Sequence, residues 1–174
     1  MGSILRSRFR IWYLNVGGAQ IERSSRLGKV TVSRPAYVRI GTNCEIEDYV
    51  RLRPGGGLGK SSITIGDDSF IGHSTQINVG SHCRIGRFVM IAPGCIISDA
   101  HHPYSDKSAP MCSFSASYKP IIIEDDVWIG SGCTILQGVT IKKGAIVAAG
   151  SVLNKSIQSN EIWGGVPARF IKYR

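Results

Sequence analysis

From Ile123 to Leu153 an aliphatic residue returns at every sixth position: Ile123, Ile129, Ile135, Ile141, Val147 and Leu153. Four places after each stands a second core-sized residue, in turn Val127, Cys133, Val139, Ala145, Ser151 and Ile157, of which Ser151 alone is polar. Gly132, Gly138, Gly144 and Gly150 recur at a third fixed phase. An α-helix repeats every 3.6 residues and a strand every 2, so neither sustains this spacing. Short strands that each form one face of a coil, with coils stacked on one another, do sustain it, and the pattern predicts a parallel β-helix.

The same phase is present upstream in a looser form. It enters with Val32 and Val38 and continues through Ile40, Ile46 and Leu52. Pro54 to Ser62, rich in glycine, interrupts it and predicts a surface loop. It resumes at Ile65 with IGDDSF, IGHSTQ and INVGSH, slips by two residues, and locks again at Ile85 with IGRFVM, IAPGCI and Ile97. Ser98 to Pro120 is the longest interruption, with three prolines and two histidines, and a long polar loop on a compact solenoid is ordinarily functional. The expected organisation is a cap over residues 1–29, about seven coils over 30–157 with a loop protruding at 98–120, and a basic tail over 158–174. In the first segment Ile4, Leu5, Phe9, Ile11, Trp12 and Leu14 alternate with Arg6, Arg8 and Arg10. That spacing fits a short amphipathic helix, either a cap on the open first coil or a basic surface helix touching acidic lipid.

Charge and cysteine usage narrow the function. The net charge of +9, from 21 Lys and Arg against 12 acids, argues for anionic partners such as a phosphate-bearing cofactor, a nucleotide or an acidic membrane surface. Basic motifs interleaved with aromatics are missing, which disfavours nucleic acid. Five cysteines form no CxxC pair, and Cys44, Cys95 and Cys133 fall four residues after a repeat aliphatic, so they read as small core residues in a reducing, cytoplasmic protein. No apolar run approaches the ~18 residues of a membrane span.

Four histidines carry the candidate chemistry: His73, His82, His101 and His102. A metal site would need a close pair on one face, and the adjacent His101 and His102 point opposite ways on an extended chain, so no metal is expected. A histidine on a polar loop can instead act as general base near neutral pH. No G-x-S-x-G nucleophile is present, so direct transfer to an activated acceptor fits better than a covalent intermediate.

The motifs V-W-I-G (127–130), A-A-G-S-V (148–152) and G-V-P-A-R (165–169) resemble the C-terminal signature of the hexapeptide-repeat acyltransferases. The resemblance covers Ile65 to Arg174 and, more weakly, Val30 to Leu52, and is nearest to galactoside, maltose and nodulation-factor acetyltransferases and polysaccharide O-acetyltransferases. It implies an all-β, left-handed parallel β-helix, assembled as a homotrimer with active sites between subunits, using acetyl-CoA as donor. It implies His102 as catalytic base, because His102-Pro103 follows Ile91-Ala92-Pro93 as in the galactoside type. Ser131, Ala149, Asn154, Lys155, Arg169 and Trp128 fall at cofactor-side positions, with the Ser131 amide facing the oxyanion and Arg169 the nucleotide phosphates. On the acceptor side two positions that hold Asn or Asp in many relatives read Gly72 and Gly80 here, leaving His73, Asn78, His82 and His101 as substrate-side candidates. Lys142-Lys143 adds charge for the nucleotide end of CoA. The implied reaction is acetylation of a carbohydrate hydroxyl in cell-surface polysaccharide or lipopolysaccharide synthesis. The alternatives are N-acetylation of a nucleotide-linked amino sugar, and a non-catalytic β-helix scaffold.

Overall fold

The computed structural model describes residues 2–55 and 62–174, so most of the glycine-rich stretch expected to be a loop, 56–61, lies outside the described residues. Three parallel sheets form the sides of a triangular prism. Each coil contributes one short strand to each sheet: in the second coil Val38–Ile40, Glu45–Ile46 and Arg51–Pro54. Six complete coils and part of a seventh are stacked in register.

The six-residue phase is what the stacking needs. Along the second sheet Leu27, Ile46, Ile71, Ile91, Ile129 and Val147 align coil upon coil, each 2% exposed or less. Each such side chain contributes about 1.5–3 kcal/mol by leaving water. The residues two places before the next aliphatic close the corners from inside, and the cysteines expected there, Cys44, Cys95 and Cys133, are buried thiols. Cys83 is buried as well, on the first sheet, and burial pushes its thiol up to about 12. Cys112 is exposed.

The corners turn through residues in the left-handed region. Along the corner between the second and third sheets that residue is Tyr49, Ser74, Gly94, Gly132 and Gly150 in successive coils, glycine from the fourth coil on. Along the corner between the first and second it is Asn43, Asp68, Phe88, Asp126 and Gly144.

The coil begins earlier than the sequence phase suggested. Strands Gln20–Ile21 and Arg26–Leu27 already pair with the second coil, so the boundary expected at residue 30 moves to Gln20. Ahead of them helix α1 (Gly2–Val16) lays Ser7, Ile11 and Leu14 on the end of the prism. The exposed strand edge of a first coil is a row of unpaired backbone groups. Here α1 supplies partners: Leu27 N–H donates to Ser7 Oγ at 2.8 Å, Ile21 N–H to Asn15 Oδ1 at 2.9 Å, and Asn15 Nδ2 and Arg10 donate back to the Ile21 and Leu27 carbonyls. The far end is closed differently. Glu161–Gly165 continues the second sheet, and Ala168–Tyr173 folds back on it antiparallel, so the tail turns at Gly165 and remains in the sheet. No helix among the described residues is long and apolar enough to cross a membrane.

Candidate active site

The long interruption leaves the prism at the corner between the third and first sheets. Its two feet, Ala100–His101 and Ser117–Tyr118, pair antiparallel, making an arm rather than an open loop. His101 is half-buried and meets the Tyr104 ring edge-on at 5.6 Å, while His102 is exposed on the arm.

The root of the arm is fixed by a residue the sequence did not single out. Asp99 is fully buried, and its two carboxylate oxygens accept the backbone N–H groups of Gly80 at 2.8 Å and Ser81 at 2.7 Å. Burial pushes its carboxyl up from the ordinary value, against the pull of those amides and of nearby His82. Tyr118 packs on Gly80 so closely that any Cβ there would enter its ring. Gly72 likewise lies against the backbone of Ala92 and Pro93 one coil on. The two glycines that depart from the family pattern are thus required by packing.

Four substrate-side candidates divide between two places. Asn78 and His82 stand with His101 at the arm's root: Asn78 is in register with Ser98, and His82 Nδ1 meets Ser62 Oγ at 2.9 Å. Asn78 Oδ1 is buried without a partner among the described residues, as is Oε1 of Gln137, whose neighbour Gly138 donates to the Lys119 carbonyl at the arm's foot. Buried acceptors without partners are rare in folded proteins, so these two mark the root of the arm as polar. Gln137 sits in an ordinary hexad and nothing in the sequence marks it.

His73 lies elsewhere, on the corner between the second and third sheets. There the backbone forms a ladder from coil to coil: Gly94 N–H to the His73 carbonyl at 2.8 Å, Gly132 to Pro93 at 3.0 Å, and Gly150 to Ser131 at 2.8 Å. The outward amides of this column differ along its length. Those of Lys29 and His73 donate to the carboxylates of Asp48 and Glu47, both at 2.6 Å. Among the described residues no protein acceptor meets the amides of Asp48, Ser131 and Ala149. Arg169 lies at the same end of this corner, opposite Gly164, with no carboxylate partner among the described residues. Trp128, 48% exposed, stands on the outer face of the second sheet, in register between Met90 and Ile146 and three strands from Arg169.

Asn154 and Lys155 are not on this column. They are exposed after strand Val152–Leu153, on the corner that carries the arm, so the expected cofactor residues fall on two edges of the third sheet. Lys142, expected to serve the nucleotide end of CoA, faces Glu124 at 3.5 Å, while Lys143 is exposed. No group of three His, Cys, Asp or Glu among the described residues is arranged for a metal. Among the described residues, one edge of the prism therefore carries an exposed imidazole and two buried acceptors without partners, and the other carries the open amides of Asp48, Ser131 and Ala149 and a guanidinium that donates to the Ala168 carbonyl but has no ion pair.

The family model for bacterial transferase hexapeptide (six repeats) matches residues 120–155. Those residues carry the hexapeptide repeat that the model describes. The resemblance read from its C-terminal motifs is borne out by its relatives. Galactoside O-acetyltransferase of Escherichia coli (strain K12) is 34% identical over 139 residues, which are 78% of this chain and 64% of that one. AntD, an N-acyltransferase from Bacillus cereus solved with dTDP and 3-hydroxybutyryl-CoA, is 25% identical with a TM-score of 0.80, covering 97% of this chain and 90% of that one. A hexapeptide-repeat-containing acetyltransferase from Vibrio cholerae, solved with acetyl coenzyme A, is 29% identical with a TM-score of 0.64, covering 95% of this chain and 76% of that one. The chain spans 48% to 64% of the length of three curated acetyltransferase relatives, from Mycobacterium tuberculosis, Saccharomyces cerevisiae and Escherichia coli.

Proposed function

We propose that the chain is an acetyl-CoA-dependent acyltransferase that acetylates a carbohydrate hydroxyl by direct transfer. The observation that carries this reading is the pair of open amides at Ser131 and Ala149 at the end of the corner that also holds Arg169. Amides held open in a rigid ladder are preorganised for the charge that develops on a thioester oxygen. The neutral imidazole of His102 takes the acceptor proton as the acceptor oxygen attacks the thioester carbon. The Ser131 amide donates to the oxyanion, the C–S bond breaks, and the imidazolium returns its proton to the leaving thiolate. Ala149 lines the pantetheine arm, and Arg169 meets the nucleotide phosphates.

The base and the amides lie on different edges of one prism, which supports a homotrimer of left-handed coils. The arm of one subunit then reaches the open corner of the next, and Asn154 and Lys155 line the groove from the arm's side. The outer face of α1 extends the reading to a membrane surface: Leu5, Phe9, Trp12 and Val16 form an exposed stripe flanked by Arg6, Arg8 and Arg10. The four buried free thiols favour a reducing compartment, the cytoplasm.

A second acceptor is favoured by the likeness to the N-acyltransferase AntD over nearly the whole chain, a variant of which was solved with dTDP-4-amino-4,6-dideoxyglucose: an amino group on a nucleotide-linked sugar. The test is release of free thiol from acetyl-CoA against a panel of sugars, amino sugars and nucleotide sugars. Turnover with a neutral sugar supports O-acetylation, turnover confined to amino sugars the second acceptor. Binding of acetyl-CoA with no turnover on any acceptor leaves a non-catalytic scaffold.

A further inference from the structure

A concavity lies away from the arm, at the N-terminal end of the prism. A cavity of about 920 Å³ opens between α1 and the first three coils. Six cationic side chains line it: Arg6, Arg8, Arg10, Arg23, Arg26 and Lys29. Three carboxylates share the lining, Glu45, Glu47 and Asp48, yet none forms an ion pair with those cations among the described residues. Glu47 and Asp48 are engaged with the backbone amides of His73 and Lys29. Arg26 stands in register beside Glu45 on the second sheet, again without an ion pair. Arg10 gives one N–H to the Leu27 carbonyl, and the other five donate to no protein acceptor among the described residues. A walled space with this excess of unpaired guanidinium is a receptor for a multiply charged anion, since Arg presents its donors in a fork that matches phosphate.

The cavity also has a direction. His73 lines its far wall, and His73 belongs to the corner ladder that leads through Pro93 to Ser131 and Ala149. Coils are about 4.8 Å apart, so His73 and Ser131, two coils apart, are separated by about 10 Å along that edge. We infer that this cavity holds the phosphate groups of the acceptor, and that the acceptor is a sugar carried on a diphosphate, laid along the corner from Lys29 past His73 toward Ser131. The inference rests on the acyltransferase reading for the reacting end only.

The diphosphate can come from a nucleoside or from an isoprenoid lipid, and titration calorimetry on the full chain without acetyl-CoA separates them. The probes are inorganic pyrophosphate, uridine diphosphate, geranyl diphosphate and uncharged galactose. Pyrophosphate binds and galactose does not. Uridine diphosphate binding more tightly than pyrophosphate assigns a nucleotide carrier, and geranyl diphosphate binding more tightly assigns a lipid carrier. The Arg26→Gln/Lys29→Gln variant weakens every phosphate probe at least tenfold and leaves the affinity for acetyl-CoA unchanged, which also reports its folding. Failure of all three phosphate probes, equal binding by the variant, or displacement of pyrophosphate by acetyl-CoA overturns the inference. Acetyl-CoA binding without phosphate binding sinks the cavity alone, whereas phosphate binding without thiol release sinks the acyltransferase reading alone.

Discussion

His102 is the residue on which the chemistry turns, and it stands on an arm that leaves the prism through a single buried carboxylate. If His102 is the base, His102→Gln lowers kcat on the order of 10²–10⁴-fold with the acetyl-CoA Kd unchanged, and an effect below tenfold moves the role elsewhere. Asp99 acts at one remove, because its oxygens receive two amide protons of the coil beneath. Asn at 99 turns an NH₂ toward one of those donors, so Asp99→Asn costs about 1–3 kcal/mol in urea unfolding and loosens the arm. The pH dependence has a defined sign. Burial raises the carboxyl above its ordinary 3.8, so the folded chain holds the proton more tightly than the unfolded one. Stability from this group is present at low pH and is lost as pH rises from 3.8 through the folded value. Over that window the urea midpoint of the parent protein falls relative to that of Asp99→Asn, and parallel profiles refute the assignment. His102 was legible because a His-Pro step follows Ile91-Ala92-Pro93. Asp99 was not, since a lone aspartate beside a loop becomes a buried anchor only once the loop returns through Lys119 and Tyr118.

At the scale of elements, the repeat was legible wherever an aliphatic returns at every sixth position, whether the left-handed corner is glycine, as at Gly132 and Gly150, or carries a side chain, as at Asp68, Ser74 and Phe88. The first coil was missed because that return is brief. Ile21 and Leu27 do stand six residues apart, but QIERSSRLGK surrounds them with polar residues, one of which, Ser25, fills the inner corner position, and the next phase position, Ser33, is not apolar. Helix α1 was foreseen as a cap, yet the means of capping depends on strand edges at Gln20–Ile21 and Arg26–Leu27 that the sequence did not reveal. Asn15 both accepts from the Ile21 amide and donates to its carbonyl, so Asn15→Leu strands two backbone groups at the end of the prism. We expect a loss of about 2 kcal/mol or more. Hydrogen exchange reads it locally: Ile21 and Leu27 lose protection first while Ile129 and Ile135 keep theirs. Uniform loss across all coils would mean that α1 does not act as a separate cap.

For the whole molecule, the division of the site between two edges has a consequence that no single-site substitution can mimic. The arm with His102 leaves one edge of the third sheet, and the amides of Ser131 and Ala149 line the other. If the reaction is completed across a subunit interface, two dead proteins can make a live one. His102→Ala removes the base and leaves the amide corner intact. Ala149→Trp fills that corner with an indole and leaves the arm intact. Each alone gives an inactive assembly. Mixed in equal amounts, unfolded and refolded together, the two chains distribute at random. In a cyclic trimer about one interface in four then joins an intact arm to an intact corner. Thiol release from acetyl-CoA therefore returns to about a quarter of the parent rate, while a mixture made without refolding stays inactive. A site contained within one prism gives no recovery under either treatment, because every chain then carries a lesion in its own site.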